Sequence, residues 1–192
     1  MMVRVIAIAA LCYLILHFAL HALQIHAIQP LQYALIGDLA PVLLVFPIHG
    51  LRVLCAWYFG LWSVVIMAPT ALLLFAMHLI DPGHDPLSLT HLAIKATFLF
   101  SAPASFWIIR ACLARPDDHM ALEWRVIMLV GLLSGLINVL VIGLLQPPSA
   151  DGQEIMVWLL SMLVGYMAGV FLLLLLILMA LRVTKRVIRR FM

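Results

Sequence analysis

The stretch that decides how this chain folds is Ile28–Gly60, which reads IQPLQYALIGDLAPVLLVFPIHGLRVLCAWYFG. It is apolar throughout, yet Pro30, Gly37, Asp38, Pro41, Pro47 and Gly50 interrupt it. A helix that crosses a hydrocarbon core of ~30 Å needs about 20 mainly apolar residues, at a rise of ~1.5 Å each. Two readings follow from the stretch alone. As two spans, Leu31–Phe46 and Ile48–Phe59, the second is short and the hairpin tip between them is apolar. As one span, Val45–Phe59 is a marginal crossing, and Ile28–Leu44 lies at the surface or dips in and out.

Around this stretch the sequence is plainer. Apolar residue types make up 67% of the 192 residues and charged types 10%. Soluble domains carry about 45–50% and about 25%. A soluble chain of this size cannot bury that much apolar surface, so a water-soluble globule is excluded, as is disorder. Three cysteines are too few for a disulfide scaffold. Five further stretches have the length and hydropathy of membrane spans: Val5–Ile25, Leu61–Ile80, Leu87–Leu113, Trp124–Leu145 and Ile155–Leu181. Turn-rich separators lie between them, at Asp81–Pro86, Arg115–Asp118 and Gln146–Gly152. Arg4 precedes an apolar run, as in a signal peptide. No small-x-small cleavage pattern follows, so the run reads as an uncleaved first helix.

Charge decides between the two readings of Ile28–Gly60. The tail Arg182–Arg190 holds five basic residues and no acid, which places the C-terminus in the cytoplasm by the positive-inside rule. Threading backwards puts nine of the eleven Lys and Arg inside and none outside, with Arg52 and Lys95 within spans. Arg4 inside requires an even number of crossings. The expected fold is therefore an all-α, polytopic integral membrane protein of six transmembrane helices, with a broken or re-entrant segment between the first and second. Residues 1–182 form a single transmembrane domain and residues 183–192 a short basic cytoplasmic tail. Both termini are cytoplasmic in this arrangement. The 17 residues Ile28–Leu44 would form a cap-like outer segment.

Ionisable side chains in a bilayer cost about 2.5–3.5 kcal/mol each at the helix centre, so each needs a partner or water. The candidates are His17, His21, Asp38, His49, Arg52, His78, His91 and Lys95, and in this topology most lie toward the outer side. His91 and Lys95 are one turn apart on one helix face, and so are His17 and His21. The functional reading is an outward-facing pocket lined by Asp38, His49, Arg52, His91 and Lys95. Two cations against one acid favour a small anionic or carboxylate-bearing ligand. The competing structural reading pairs Asp38 with Arg52 or Lys95, while the long basic side chains and the histidines reach interfacial water. No His-Glu-x-x-His or Cys-x-x-Cys occurs, and no second paired-His helix, so neither a metal nor a cofactor is expected. Cys12, Cys55 and Cys112 are isolated in apolar helices and read as small hydrophobes. No nucleophile–base pair or acidic pair is present either, so no catalytic activity is expected.

Gly131/Gly135 and Gly165/Gly169 are small-xxx-small stripes on consecutive helices, where a neighbouring backbone can approach closely. Pro69 and Pro103 are placed to kink their spans. In the tail, clustered basic residues and an apolar row at Val183, Val187 and Phe191 suit a helix that leaves the bilayer against anionic lipid, rather than nucleic acid.

Pro41–Gly60, followed by an apolar helix with Pro69 inside it, resembles the first family of bacterial membrane-associated sensor domains. There an aromatic-Pro-x-x-Gly break, here Phe46, Pro47 and Gly50, opens a helix that ends near a glycine, here Gly60. Trp158 followed by Gly165 and Gly169 on a late helix is also similar, and together these cover about a third of the chain. Family members are longer and feed a kinase, cyclase or other output domain, and they tend to carry an acid at the place of Tyr166. The resemblance implies a small ligand-binding, sensory membrane module that acts through a separate membrane or signalling partner protein. A second reading is suggested by the helix number and the long first outer segment. These are similar to the substrate-capture subunits of energy-coupling-factor vitamin transporters. A third is an accessory subunit that packs within a larger membrane complex.

Overall fold

A computed structural model describes residues 2–37, 44–80, 88–113, 124–145 and 152–191, with the side chains of 78–80, 152–154 and 185–191 excepted. The described residues are almost entirely helical and include no strand. Helix α1 is Met2–Leu23; a π-helical turn, Gln24–Ile28, joins it to α2, Gln29–Ile36. Then come α3 (Pro47–Phe59), α4 (Trp62–Ile80), α5 (Leu89–Leu113), α6 (Trp124–Leu145) and α7 (Gly152–Phe191). Four helical stretches are long and apolar enough to cross a membrane: Met2–Ile36, Leu89–Leu113, Trp124–Leu145 and Ile155–Thr184. Their outward faces carry large apolar side chains, among them Ile8, Ile15, Phe100, Leu140 and Phe171, the surface a bilayer would cover.

The decisive stretch takes an unexpected form at its start. Ile28–Leu44, read as a cap, begins as a helical extension of α1 as far as Ile36. Pro30 does not break this helix because the turn before it changes register. Pro30 has no N–H to give the carbonyl four residues back. The chain widens to π geometry there, with the Gln29 N–H bonded to the Gln24 carbonyl. The helix ends at Gly37, at a φ of +55°. Residues 38–43 lie outside the described residues. The chain is next seen at Leu44, whose N–H is held by Gln32 Oε1 at 2.7 Å, so it has returned alongside α2.

Helix α3 is central. It packs against α1, α4, α5, α6 and α7, and nine of its 13 residues are buried. Pro47 starts it, where a missing N–H is harmless and the fixed φ suits a first turn. Gly60 ends it with a φ of +56°, its N–H bonded to the Ala56 carbonyl at 2.8 Å. The Ser63 hydroxyl then donates to the Gly60 carbonyl and begins α4 after a two-residue turn.

The first turn of α3 sits deep within the bundle. The Phe46 N–H bonds the Gly165 carbonyl at 3.0 Å. A Cβ on Gly169 would fall 1.9 Å from the Phe46 oxygen, and one on Gly50 2.8 Å from the Gly169 oxygen. Gly165 and Gly169 lie near the middle of the apolar stretch Ile155–Thr184. At 13 residues α3 is about 20 Å long, so it runs from mid-depth to one end of the bundle only. The two glycine stripes therefore do not meet one another. Gly165 and Gly169 receive α3, whereas Gly131 and Gly135 receive Val170, Leu163 and Tyr166 side chains from α7. Around α3 the core is aliphatic, with Val53, Leu54, Ala56, Ala102, Ile127, Val130 and Val170 in contact.

A polar cavity above the half-length helix

A short helix that starts at mid-depth leaves space above its N-terminus, and a cavity of about 410 Å³ occupies that space. Four of the five residues expected from sequence line it: His49, Arg52, His91 and Lys95. The fifth, Asp38, lies outside the described residues, as does the side chain of His78. His17 and His21 also line it, whereas His26, one turn further along, does not.

Each wall has a local reason. On α1, Tyr13, His17, His21 and Gln24 recur at spacings of four, four and three, which keeps them on one face up to the π turn. On α3, His49 and Arg52 are three residues apart and share a face. The His49 ring is 1% exposed and leans on the Tyr166 ring at 4.5 Å between centroids. Its Nε2 is 3.2 Å from the Gly131 carbonyl. A carbonyl only accepts, so Nε2 carries the hydrogen, and Nδ1 of the neutral ring is an acceptor. Arg52 lies over the Phe98 ring at 4.8 Å and shares the cavity wall with Tyr13, His17, His49 and Tyr166. Lys95, from α5, places its ammonium 5.3 Å from the Phe75 ring centre. His91 is tied to the start of α5: its Nδ1 is hydrogen-bonded with the Ser88 hydroxyl at 2.9 Å, and its backbone N–H donates to the same oxygen at 3.3 Å.

Burial of polar atoms marks this cavity apart from the rest of the core. Among the described residues, eight buried side-chain atoms have no hydrogen-bond partner in the chain. Five of them belong to cavity-lining residues: His17 Nδ1, Gln24 Oε1, His49 Nδ1, Thr70 Oγ and Lys95 Nζ. His17, Gln24, His49 and Thr70 are each less than a tenth exposed. Buried polar groups ordinarily have a partner, so five unpaired atoms on residues that line one space set this region apart from the rest of the core.

No protein-family model, curated protein or solved structure matches this chain.

Sequence reasoning missed Tyr13, Gln24, Thr70 and Tyr166, all of which line the cavity. Tyr13 and Gln24 had a signal, since they continue the His17–His21 face by one turn in each direction. Tyr166 stood out only as a departure from a family pattern, and Thr70 had no signal beyond its place after Pro69. Among the described residues, no group of three or more His, Cys, Asp or Glu stands close enough to hold a metal ion. What the walls can do is bind: they combine two cations, acceptors and hydroxyls with an apolar surface from Met67, Leu74, Ile94 and Phe98.

Proposed function

We propose that this protein is a small ligand-binding, sensory module of a bacterial inner membrane, which holds a small anionic molecule in this cavity and acts through a partner protein without catalysing a reaction. In this reading α1, α4, α5, α6 and α7 each cross the membrane, α3 with the residues that lead into it completes a sixth crossing, both termini are cytoplasmic and the cavity faces outward. The split of flanking Lys and Arg, nine inside and none outside, supports that orientation. The observation that carries the functional reading is the cavity itself, lined by Arg52 and Lys95 and by His17, Gln24, His49 and Thr70, whose buried polar atoms include four with no partner in the chain. Two cations and this many orphaned groups are costly in a lipid-facing bundle unless a bound molecule or water completes them. A break like that of the sensor-domain family, Phe46-Pro47-x-x-Gly50, is the element that shapes the cavity floor.

The Leu44 N–H bond to Gln32, which brings the chain back beside α2 after the long first outer segment, favours a second reading as a substrate-capture subunit. Native mass spectrometry of gently solubilised protein separates the two. A sensor retains a small molecule and copurifies with a signalling protein; a capture subunit copurifies with an ATP-driven module. A cavity function is refuted if no small molecule is retained and Arg52→Gln changes neither mass nor thermal stability.

A further inference from the structure

The wall chemistry says more about the occupant than its charge. We infer that the cavity is built for a small organic acid that also carries a hydrogen-bond donor, such as a hydroxyl or amide N–H, on an apolar body. This rests on the reading of the cavity as a ligand site and narrows its ligand class.

Three sets of groups define the shape of the demand. Arg52 and Lys95 supply positive charge from two different helices. An anionic group answers them, and Arg52, which shares the wall with Tyr13, His17, His49 and Tyr166, is its seat.

The second set requires donors. His49 uses its N–H on the Gly131 carbonyl, so its unpaired Nδ1 offers a lone pair. Gln24 Oε1 offers another, with its residue 7% exposed. A bare carboxylate would set oxygen lone pairs against both. A hydroxyl or N–H on the ligand satisfies them, while Thr70 Oγ and His17 Nδ1 adapt to either role.

The third set is apolar: Met67, Leu74, Ile94, Phe98 and Leu99 line the same space. An inorganic oxyanion leaves these side chains without contact, and a lipid acyl chain leaves the five polar atoms unpaired. Pockets with mostly apolar walls and a few placed polar groups suit small organic molecules, and about 410 Å³ falls in their usual range of about 300–1,000 Å³.

The test uses the full-length protein in nanodiscs of phosphatidylcholine and phosphatidylglycerol. Molecules released on denaturation are identified by exact mass and fragmentation. The nanodiscs are also titrated with 4-hydroxyphenylacetate, phenylacetate, 4-hydroxyphenylacetamide and inorganic phosphate, following thermal stability. The expected result is a retained organic acid bearing a hydroxyl or N–H, its occupancy cut at least tenfold by Arg52→Gln. Lys95→Met serves as the charge variant if Arg52→Gln does not fold. In the titration, the hydroxylated acid should stabilise more than phenylacetate, the neutral amide or phosphate, and Thr70→Val should narrow that lead. A retained neutral molecule, fatty acid, phospholipid or inorganic anion overturns this inference and leaves the cavity a ligand site. So does equal stabilisation by the hydroxylated and plain acids. No retained molecule together with no stabilisation by any probe overturns the ligand-site reading as well.

Discussion

Replacing Gly169 by alanine tests whether the half-length helix is held where the cavity needs it. The new Cβ would lie 1.9 Å from the Phe46 oxygen, 2.3 Å from its carbonyl carbon and 3.0 Å from the Pro47 nitrogen. All three atoms are backbone, so no rotamer relieves the overlap. To reach an ordinary separation of 3.4 Å, the start of α3 must retreat from α7 by about 1.5 Å. That movement breaks the Phe46 N–H bond to Gly165, now 3.0 Å, and draws His49 away from Gly131, now 3.2 Å. Overpacking of this kind costs about 1–3 kcal/mol. Each interhelical hydrogen bond adds about 0.6 kcal/mol in a membrane protein, so the total is about 2–4 kcal/mol. Gly143→Ala is the matched control. Its Cβ would meet Leu159 Cδ2 at 2.9 Å, the tip of a side chain that can turn aside, and the cost should stay below about 1 kcal/mol. Unfolding in mixed detergent micelles by titration with dodecyl sulfate measures both. Equal stability of the two variants, or Gly169→Ala within about 0.5 kcal/mol of the parent, would refute the glycine seat.

Three further expectations follow from other contacts. Ser134 donates to Ser101 at 3.1 Å across α5 and α6, and a double-mutant cycle with alanine should return a coupling of about 0.6 kcal/mol; zero coupling would show the bond to be idle. Asn138 is fully buried with both amide atoms unpaired, so Asn138→Leu should stabilise the protein by about 1 kcal/mol in the same titration, and a loss of that size would reveal an unseen partner. For orientation, His84→Cys and Asp151→Cys in a background without Cys12, Cys55 and Cys112 should react with an impermeant maleimide in intact cells; protection of both would sink the six-crossing arrangement.

Much of the fold was legible because spans are set by a solvent thickness that acts on every residue alike. Trp124–Leu145 was bounded to the residue, and Trp62–Ile80 to within one. Less legible was the continuation of helix past Pro30 as far as Ile36, since a proline there reads as a stop. A single missing N–H can be absorbed by one π turn, and no local pattern announces which outcome the chain takes. At the site, cost in lipid identified the charged and imidazole groups, since these must find company wherever they lie. Gln24, Thr70 and Tyr166 are affordable almost anywhere in a helix, so only the tertiary arrangement reveals that they share one space. That Gly165 and Gly169 receive backbone while Gly131 and Gly135 receive side chains was equally hidden. A small residue advertises closeness without saying to what.

Helix α7 runs without a break from Gly152 to Phe191. Tyr166 in the cavity wall and Phe191 are thus joined by one rigid rod of about 38 Å at helical rise. The α3 contacts at Gly165 and Gly169 fall near the middle of its apolar stretch, so more than ~30 Å of the same helix, at ~1.5 Å per residue, extends beyond them to Phe191. A tilt of about 5° about those contacts would carry the Phe191 end sideways by roughly 3 Å.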